Sequence, residues 1–396
     1  MAIIRSNNAL VAFDYSNYYI FNKFEFLSYI QSFEVNFSSK RINHKSLGAS
    51  GSVRSQFVKP EVLLNINFLQ KNNLSNEILF GFNKILNENT YESFAKRLFL
   101  DSSTQLPFLN SNAFVIFNDK NSLDLISKIK NNTIDDSIVM SLGNLFINSY
   151  SFSYTINQLP LVSCSFLCSE FRLSRLIRFG GENYIANWNN VSIPLNSSSI
   201  DELISTSNSP RDTLVFLMQH FTFSNNFSST SSPGPNIDNF LDGLIQSMDF
   251  SIDFNRSEFY FFKNTNDVFD RSIFSPIKIK LKINGISNKF EAGTINNFFL
   301  QDQKFSCSIL MGDSDSPNAN VNKLIFDSLC VENFTYTIDM NGMLNYSIEC
   351  YGEITPEKGF RILEINKYDP SITFLYTSDE YTLTTLDNFN LIAKAG

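Results

Sequence analysis

The sequence has few of the residues on which most enzymes and metalloproteins depend. It contains two His, one Trp and five Cys among 396 residues. The odd number of cysteines, between Cys164 and Cys350, gives no disulfide framework. His44 and His220 stand in no catalytic or metal-ligand spacing, and we interpret both as structural or solvated. We therefore expect that the protein is not an enzyme.

Two short motifs suggest a metal ion, and neither is complete. Cys164 and Cys168 lie four positions apart in an apolar strand, but a second Cys pair is missing. Residues 312–316 resemble part of a calcium loop that lacks the bidentate Glu. The sequence also has no phosphate-binding Gly-rich loop with Lys and no nucleophile elbow. We expect no catalytic residue, no metal and no cofactor.

A surplus of basic residues is also absent. The formal net charge is -8 and the isoelectric point is about 5.0, whereas proteins that grip nucleic acid normally carry a positive surplus. No run approaches the roughly 18 apolar residues of a membrane span. The first eight residues lack the apolar core of a signal peptide. We expect a protein made in a cytoplasm, without tight DNA binding.

Aromatic residues are abundant, with 41 Phe and 15 Tyr. These residues favour strands, and the helix formers Ala and Glu are scarce. Asn and Ser mostly separate apolar runs, as turn residues do. The chain is too long for one ordinary core, so composition and length predict a mainly β protein with two domains of just under 200 residues each.

One β unit occurs twice in the sequence. Residues 30–37 and 245–254 both begin with Ile-Gln-Ser and then alternate apolar with polar residues, a pattern typical of a strand with one buried face. A long polar loop follows each copy, and a second alternating strand begins near Pro60 or Pro276. From the start of the first strand to the proline is 30 residues in the first copy (60 minus 30) and 31 in the second (276 minus 245).

A second pair of repeated strands lies further along each half. Residues 152–168 align without a gap to residues 334–350, at a constant offset of 182. Both copies begin with alternating aromatic residues, and both contain a predicted hairpin turn, at 157–160 and 339–342. The alignment predicts that each half contains a strand, long loop and strand, followed later by a hairpin.

The domain boundary is expected near residue 210, inside the Ser-, Asn- and Pro-rich stretch 197–235. The first domain would be 1–210 and the second 211–396. The first half carries about 35 extra residues, for which we predict a helical insertion around 70–145. Its clearest helix is 89–100, capped by Thr90, and a shorter one is expected at 123–130.

The repeated strand, long loop, Pro-initiated strand and aromatic hairpin resemble the tail tube proteins of long-tailed bacteriophages. The resemblance implies two tandem antiparallel β-sandwich or barrel domains, each with a short flanking helix. It implies a virion protein whose homotrimeric, pseudo-sixfold rings stack into a hollow tube. A tape-measure protein and double-stranded DNA would pass through the tube, with tail terminator and baseplate proteins at its ends.

Within that expected ring, the polar faces of the repeated strands are the candidates for the channel lining. These faces carry acidic or neutral side chains and never basic ones, so they would repel DNA phosphates. The lumen candidates are Glu34, Asn36, Ser153, Thr155, Asp249, Ser251, Asp253, Thr337 and Asp339.

The two long loops, 38–56 and 255–272, are the expected contacts between stacked rings. They match in position but differ in charge, which fits stacking of two unlike surfaces. The stacking candidates are Lys40, Arg41, His44, Lys45, Arg54, Arg256, Lys263, Asp267 and Arg271.

Other functions remain open at this point. A distal tail or baseplate ring protein of the same fold would form one isolated ring. A β-sandwich receptor- or carbohydrate-binding protein would expose part of its aromatic surplus, although a single Trp is little for sugar stacking.

Overall fold

A computed structural model of the chain describes 25 segments of backbone. These are residues 9–14, 24–27, 29–38, 41–44, 54–57, 61–70, 76–77, 80, 84–85, 110–117, 138–155, 158–175, 177–179, 182–186, 192–194, 221–224, 244–260, 268–273, 276–287, 305–311, 321–338, 344–354, 360–365, 375–376 and 382–383. Nearly all of them are β-strand, as the aromatic-rich composition predicts.

Thirteen of the described strands lie in the first half of the chain. They are β1 (Ala9–Asp14), β2 (Phe24–Phe26), β3 (Ile30–Ser38), β4 (Arg41–His44), β5 (Arg54–Phe57), β6 (Glu61–Leu69), β7 (Lys84–Ile85), β8 (Asn110–Phe117), β9 (Ile138–Thr155), β10 (Leu161–Arg175), β11 (Ile177–Phe179), β12 (Glu182–Ala186) and β13 (Ser192–Pro194).

The other eleven lie in the second half. They are β14 (Phe221–Ser224), β15 (Leu244–Asp253), β16 (Arg256–Tyr260), β17 (Val268–Ile273), β18 (Ile277–Ser287), β19 (Phe305–Met311), β20 (Val321–Ile338), β21 (Leu344–Ile354), β22 (Phe360–Ile365), β23 (Leu375–Tyr376) and β24 (Thr382–Leu383). Among the described strands, every ladder is antiparallel except the one between β7 and β22.

The strand order of the largest sheet repeats. The first strand group is ordered β1-β8-β9-β10-β6-β3, and the second strand group is ordered β14-β19-β20-β21-β18-β15. The 18-residue strands β9 and β20 stand at the same place in the two groups. The sequence repeat therefore has a counterpart in sheet topology, and it includes strand pairs that the sequence alone did not reveal, β1 with β14 and β8 with β19.

Three irregularities in the ladders recur at equivalent places. Gln31 and Gln246 are skipped in the pairing of β3 with β6 and of β15 with β18. Asn148 and Glu332 are skipped in the pairing of β9 with β10 and of β20 with β21. The ladder of β8 with β9 shifts between Ser111 and Ala113, and the corresponding shift on β19 falls between Phe305 and Cys307. A bulge fixes local register, so the three repeated bulges define which residues are equivalent.

The bulges correct the register of the sequence repeat. Asn148 and Glu332 are 184 residues apart, not 182, and the same offset relates Ser165 to Glu349. A slip of two residues keeps every side chain on its own face of a strand. The ungapped alignment therefore predicted the correct face for each residue but matched it to the wrong equivalent residue in the second half.

The extra residues of the first half fall in two connections. The offset between equivalent residues is 217 at Asn67 and Asn284, 194 at Ser111 and Phe305, and 184 at β9 and β20. The first half is thus longer by 23 residues (217 minus 194) before β8 and by 10 (194 minus 184) between β8 and β9. Within the segment 70–145, β8 and the start of β9 have counterparts in the second half and are not part of an insertion. The expected helices at 89–100 and 123–130, and the boundary at 210, lie outside the described residues.

The buried apolar residues form one cluster that includes members of both strand groups. In the first group, Phe13 of β1 lies 5.4 Å from Phe166 of β10, measured between ring centroids, and Phe80 lies 5.0 Å from Phe166. In the second, Phe326 of β20 lies 5.2 Å from Phe250 of β15. Neither β1 and β10 nor β15 and β20 are neighbours in the sheet, so these contacts join strands that face each other across the core, as in a β-sandwich.

Candidate functional site

The two strand groups are joined by a ladder that we call the internal seam. It pairs β9 with β15 in antiparallel register, from Ser247 opposite Thr155 to Asp253 opposite Ser149. All its apolar members are buried: Tyr150, Phe152, Tyr154, Met248, Phe250 and Ile252. Alternation along both strands sends these side chains to one face and the polar ones to the other. The seam therefore makes the two groups one sheet with a shared core.

Arg256 contacts β9 at the end of the internal seam. Its Nε donates a hydrogen bond to the backbone carbonyl of Ile147 on β9. Its guanidinium lies 5.2 Å from the ring centroid of Phe146 and 6.0 Å from that of Phe254. Both distances are in the range of cation–π attraction. The backbone N–H of Phe254 also donates to the carbonyl of Asn148 at 3.0 Å.

The polar side chains of both strand groups share one face of the sheet, which we call the polar face. Residues opposite each other in neighbouring strands lie on the same face. One such row crosses seven strands, β3, β6, β10, β9, β15, β18 and β21. Its residues are Glu34, Asn65, Ser165, Ser149, Asp253, Lys278 and Glu353.

Side-chain hydrogen bonds tie neighbouring strands along the polar face. Asn67 Nδ2 donates to Ser32 Oγ at 2.8 Å, and Asn284 Nδ2 donates to Ser247 Oγ at 2.8 Å. These two bonds are equivalent, because each joins the residues beside a repeated bulge. Hydroxyl groups of Ser149 and Ser165 lie 2.6 Å apart.

The polar face also carries three lysines, which corrects the expectation that it is never basic. Lys278, Lys280 and Lys282 are exposed on β18 and lie opposite Asp253, Ser251 and Asp249 of β15. The sequence signal, Lys at every second position, was present, but β18 had not been assigned to the same face as β15. The equivalent residues of β6 are Glu61, Leu63 and Asn65, so the lysines occur only in the second strand group at these positions.

Carboxylates lie opposite two of the lysines, Lys278 and Lys282, on both neighbouring strands. Lys282 Nζ lies 2.8 Å from Glu349 Oε1, with both side chains about half exposed. This hydrogen bond and its charge lower the pKa of the Glu349 carboxyl, and Glu349 raises the pKa of Lys282. Described carboxylates of the polar face outnumber its three lysines: they are Glu34, Glu61, Asp249, Asp253, Glu349 and Glu353.

The structure places eight of the nine predicted lumen residues on the polar face. Asp249 lies directly opposite Ser153, and Ser251 lies in the adjacent row. Glu34 and Asn36 are exposed two residues apart on β3, and Asp253 is exposed on β15. Thr155 is opposite Ser247, and Thr337 is exposed on β20. Asp339 lies outside the described residues.

The predicted stacking loops each contain a two-stranded hairpin instead of being loop throughout. Arg41 and His44 lie in β4 and Arg54 in β5, which pair with each other. Arg256 and Arg271 lie in β16 and β17, which also pair. Lys40, Lys45, Lys263 and Asp267 lie outside the described residues. Because Arg256 is held against β9, it acts within the chain at the internal seam.

One buried polar cluster lies beside the seam. Tyr150 Oη donates to Glu77 Oε1 at 3.2 Å, and both side chains are buried. Burial is the main cause that raises the pKa of the Tyr150 hydroxyl and of the nearby Cys164 thiol, and the Glu77 charge adds to both shifts. Groups so hard to ionise suit a structural role. In the described part of the chain, no three His, Cys, Asp or Glu side chains are placed to hold a metal ion.

No protein-family model matches the chain, and no curated protein matches it either. Among the described residues, no helix has the length and apolar character to cross a membrane.

Proposed function

We propose that the chain is a structural virion protein, a tail tube subunit that assembles into stacked rings around a channel for genome delivery. In this proposal the two strand groups are two tandem domains of tail-tube type. Three chains close a pseudo-sixfold ring in the virion tail, without catalysis or cofactor. The partners are other copies of the chain, a tape-measure protein and DNA in transit, and terminator and baseplate proteins at the tube ends.

The internal seam is the observation that carries the proposal. It pairs an edge of one strand group with a different edge of the other, β9 with β15. An interface between unlike edges of equivalent units can repeat, and it forms a ring when the rotation closes. Two equivalent units already joined in this way are what a ring of six units built from three chains requires.

The polar face supports a role in lining the channel. It is continuous across both strand groups, and its described carboxylates outnumber its lysines. A net negative wall weakens the attraction of DNA phosphates, so that DNA moves without sticking. Lys278 and Lys282 each have carboxylates opposite them on both neighbouring strands, which limits the local attraction of their ammonium groups for phosphate.

Electron microscopy of the purified protein tests the proposal. Concentrated protein in negative stain should show rings of six-unit appearance and tubes of stacked rings. Isolated rings that never stack would favour a distal tail or baseplate protein of the same fold. Monodisperse monomers at every concentration would refute the assembly function.

A further inference from the structure

The two strands of the internal seam, β9 and β15, have equivalents in the other strand group, and these equivalents are not paired with each other among the described strands. The equivalent of β15 is β3, whose described ladder is with β6 on one side. The equivalent of the seam segment of β9 is residues 333–338 of β20, which pair with β21 on their other side. The structure pairs β9 with β15 but does not pair β3 with β20 within the described chain.

The internal seam specifies how these two edges would fit together. Asp249 lies opposite Ser153 there. The offset between β3 and β15 is 215, from Gln31 to Gln246, and that between β9 and β20 is 184, so the equivalent pair is Glu34 and Thr337. In the same way, Met248 opposite Tyr154 becomes Phe33 opposite Ile338, and Ile252 opposite Tyr150 becomes Phe37 opposite Phe334. No two carboxylates stand opposite each other in this register, so it has no direct like-charge repulsion.

Apolar exposure on the two edges agrees with this register. At the internal seam, Ile252 is 0% exposed and Tyr154 is 4% exposed. Their equivalents, Phe37 on β3 and Ile338 on β20, are 50% and 72% exposed. Large apolar side chains gain stability when removed from water. Edge pairing with a second chain would cover both, as the internal seam covers Ile252 and Tyr154.

We infer that β3 of one chain pairs antiparallel with residues 333–338 of β20 of a second copy, with Glu34 directly opposite Thr337. This inference rests on the proposed assembly and adds its chain-to-chain interface, which we call the external seam. Pairing would also cover two strand edges that have no ladder partner among the described strands, and open edges otherwise favour uncontrolled aggregation. Each chain would contribute β3 to one external seam and β20 to the next, so successive copies join head to tail.

Disulfide trapping tests the external seam. The variant Glu34→Cys with Thr337→Cys replaces two exposed side chains. Paired residues of antiparallel strands have Cα atoms roughly 4.5–5.5 Å apart, within the range that a disulfide spans. Mild oxidation of the assembled protein should convert the monomer into dimers and trimers on a non-reducing gel, and reduction should reverse this.

Matched variants define the outcome. Asp249→Cys with Ser153→Cys should form a disulfide within one chain, since these residues are opposed at the internal seam. Each single Cys variant reveals any reaction with native thiols. Glu34→Cys with Thr335→Cys tests the register implied by the sequence offset of 182, and efficient trapping of that pair would overturn the register inferred here.

The trapping result and the assembly result are separable. Rings or tubes in the microscope without trapping of Glu34→Cys with Thr337→Cys, while the internal control forms its disulfide, would refute the external seam and leave the proposed function standing. Trapped dimers and trimers support the seam whether or not the rings stack. Absence of both rings and trapping would refute both proposals.

Discussion

Phe152 and Phe250 lie directly opposite each other on β9 and β15, with ring centroids 5.3 Å apart and ring planes inclined by 27°. Phe250 also lies 5.2 Å from Phe326 and 5.7 Å from Phe360 in the second strand group. One buried ring therefore connects a strand of the first group with the core of the second. The two groups should not be energetically independent.

The first prediction concerns Phe250→Ala. Removing a buried Phe ring leaves a cavity, and we expect the free energy of unfolding to fall by about 3–5 kcal/mol. Urea denaturation followed by circular dichroism measures the change. Val35→Ala is the matched control, because Val35 is the half-buried equivalent of Phe250 on β3. An equally large loss for Val35→Ala in the unassembled chain would contradict this interpretation of the seam.

The second prediction compares a charge at the two seams. Tyr154→Asp places a carboxylate in the buried internal seam, and we expect a chain that does not fold cooperatively. Ile338→Asp changes the exposed equivalent residue, so the chain should fold with an unchanged circular dichroism spectrum but fail to assemble. Analytical ultracentrifugation distinguishes these cases. Normal rings from Ile338→Asp would argue against burial of this side chain between copies.

The third prediction concerns the two equivalent Asn–Ser hydrogen bonds. Asn284→Ala should lower the free energy of unfolding by about 1 kcal/mol, the usual contribution of one hydrogen bond. Asn67→Ala should cost less, since its bond to Ser32 is exposed whereas that of Asn284 to Ser247 is partly buried. Denaturant titration of both variants, of Ser32→Ala and Ser247→Ala, and of the two double variants gives the coupling energies. A larger cost at Asn67 would contradict the ranking.

The fourth prediction concerns thiol reactivity. None of the five cysteines is in a disulfide, and four of them are buried while Cys330 is half-buried. Burial raises the pKa of the Cys164 and Cys350 thiols, so little reactive thiolate forms. We expect iodoacetamide to label Cys330 first in the native protein and all five after unfolding, as measured by peptide mass spectrometry. Early labelling of Cys164 would show that the core opens.

The fifth prediction concerns the pH dependence of the Lys282–Glu349 ion pair. The folded-state pKa of Glu349 is lowered, so its stabilisation is present above the usual carboxyl pKa and is lost as the pH falls through the lowered value. The pKa of Lys282 is raised, so its contribution is lost only as the pH rises through that raised value. The effect is small because water screens both side chains.

Thermal unfolding of Lys282→Ala against the unchanged protein, from pH 3 to pH 8, measures this contribution. The difference in melting temperature should be present at neutral pH and should vanish in acid. Lys280→Ala is the control, because Lys280 is only the last of the causes that lower the pKa of Glu349. A difference that grows in acid would contradict the sign of the effect.

Much of the sheet could be predicted from the sequence because alternation is a strong signal. Residues 30–37 and 245–254 were predicted as strands, and all of them except Phe254 lie in β3 or β15. The partner of each residue could not be predicted, since a period of two is unchanged by a slip of two residues. Register depends instead on bulges at Gln31, Asn148 and their equivalents. Each bulge puts two polar residues in a row, as Gln31 and Ser32, but this break in the alternation does not identify the partner residues.

The composition of the polar face was only partly predictable. Asp249 and Ser153 were assigned to one face from their own strands, and the ladder places them opposite each other. The lysines of β18 were missed because the face of a strand is set by its neighbours in the ladder. Short strands such as β14 carry too few residues for a pattern, so their equivalence with β1 is visible only in the pairing.

The internal seam also affects the protein concentration at which rings form. β9 and β15 belong to one chain, so their pairing is a unimolecular step with a fixed effective concentration, whatever the amount of protein. Only the external seams of a ring would form between separate chains, and only they would dissociate when the protein is diluted. Linking the units in pairs halves the number of bodies that lose translational and rotational freedom when a ring closes. Rings of this chain should therefore form at lower protein concentration than rings of the same units supplied singly.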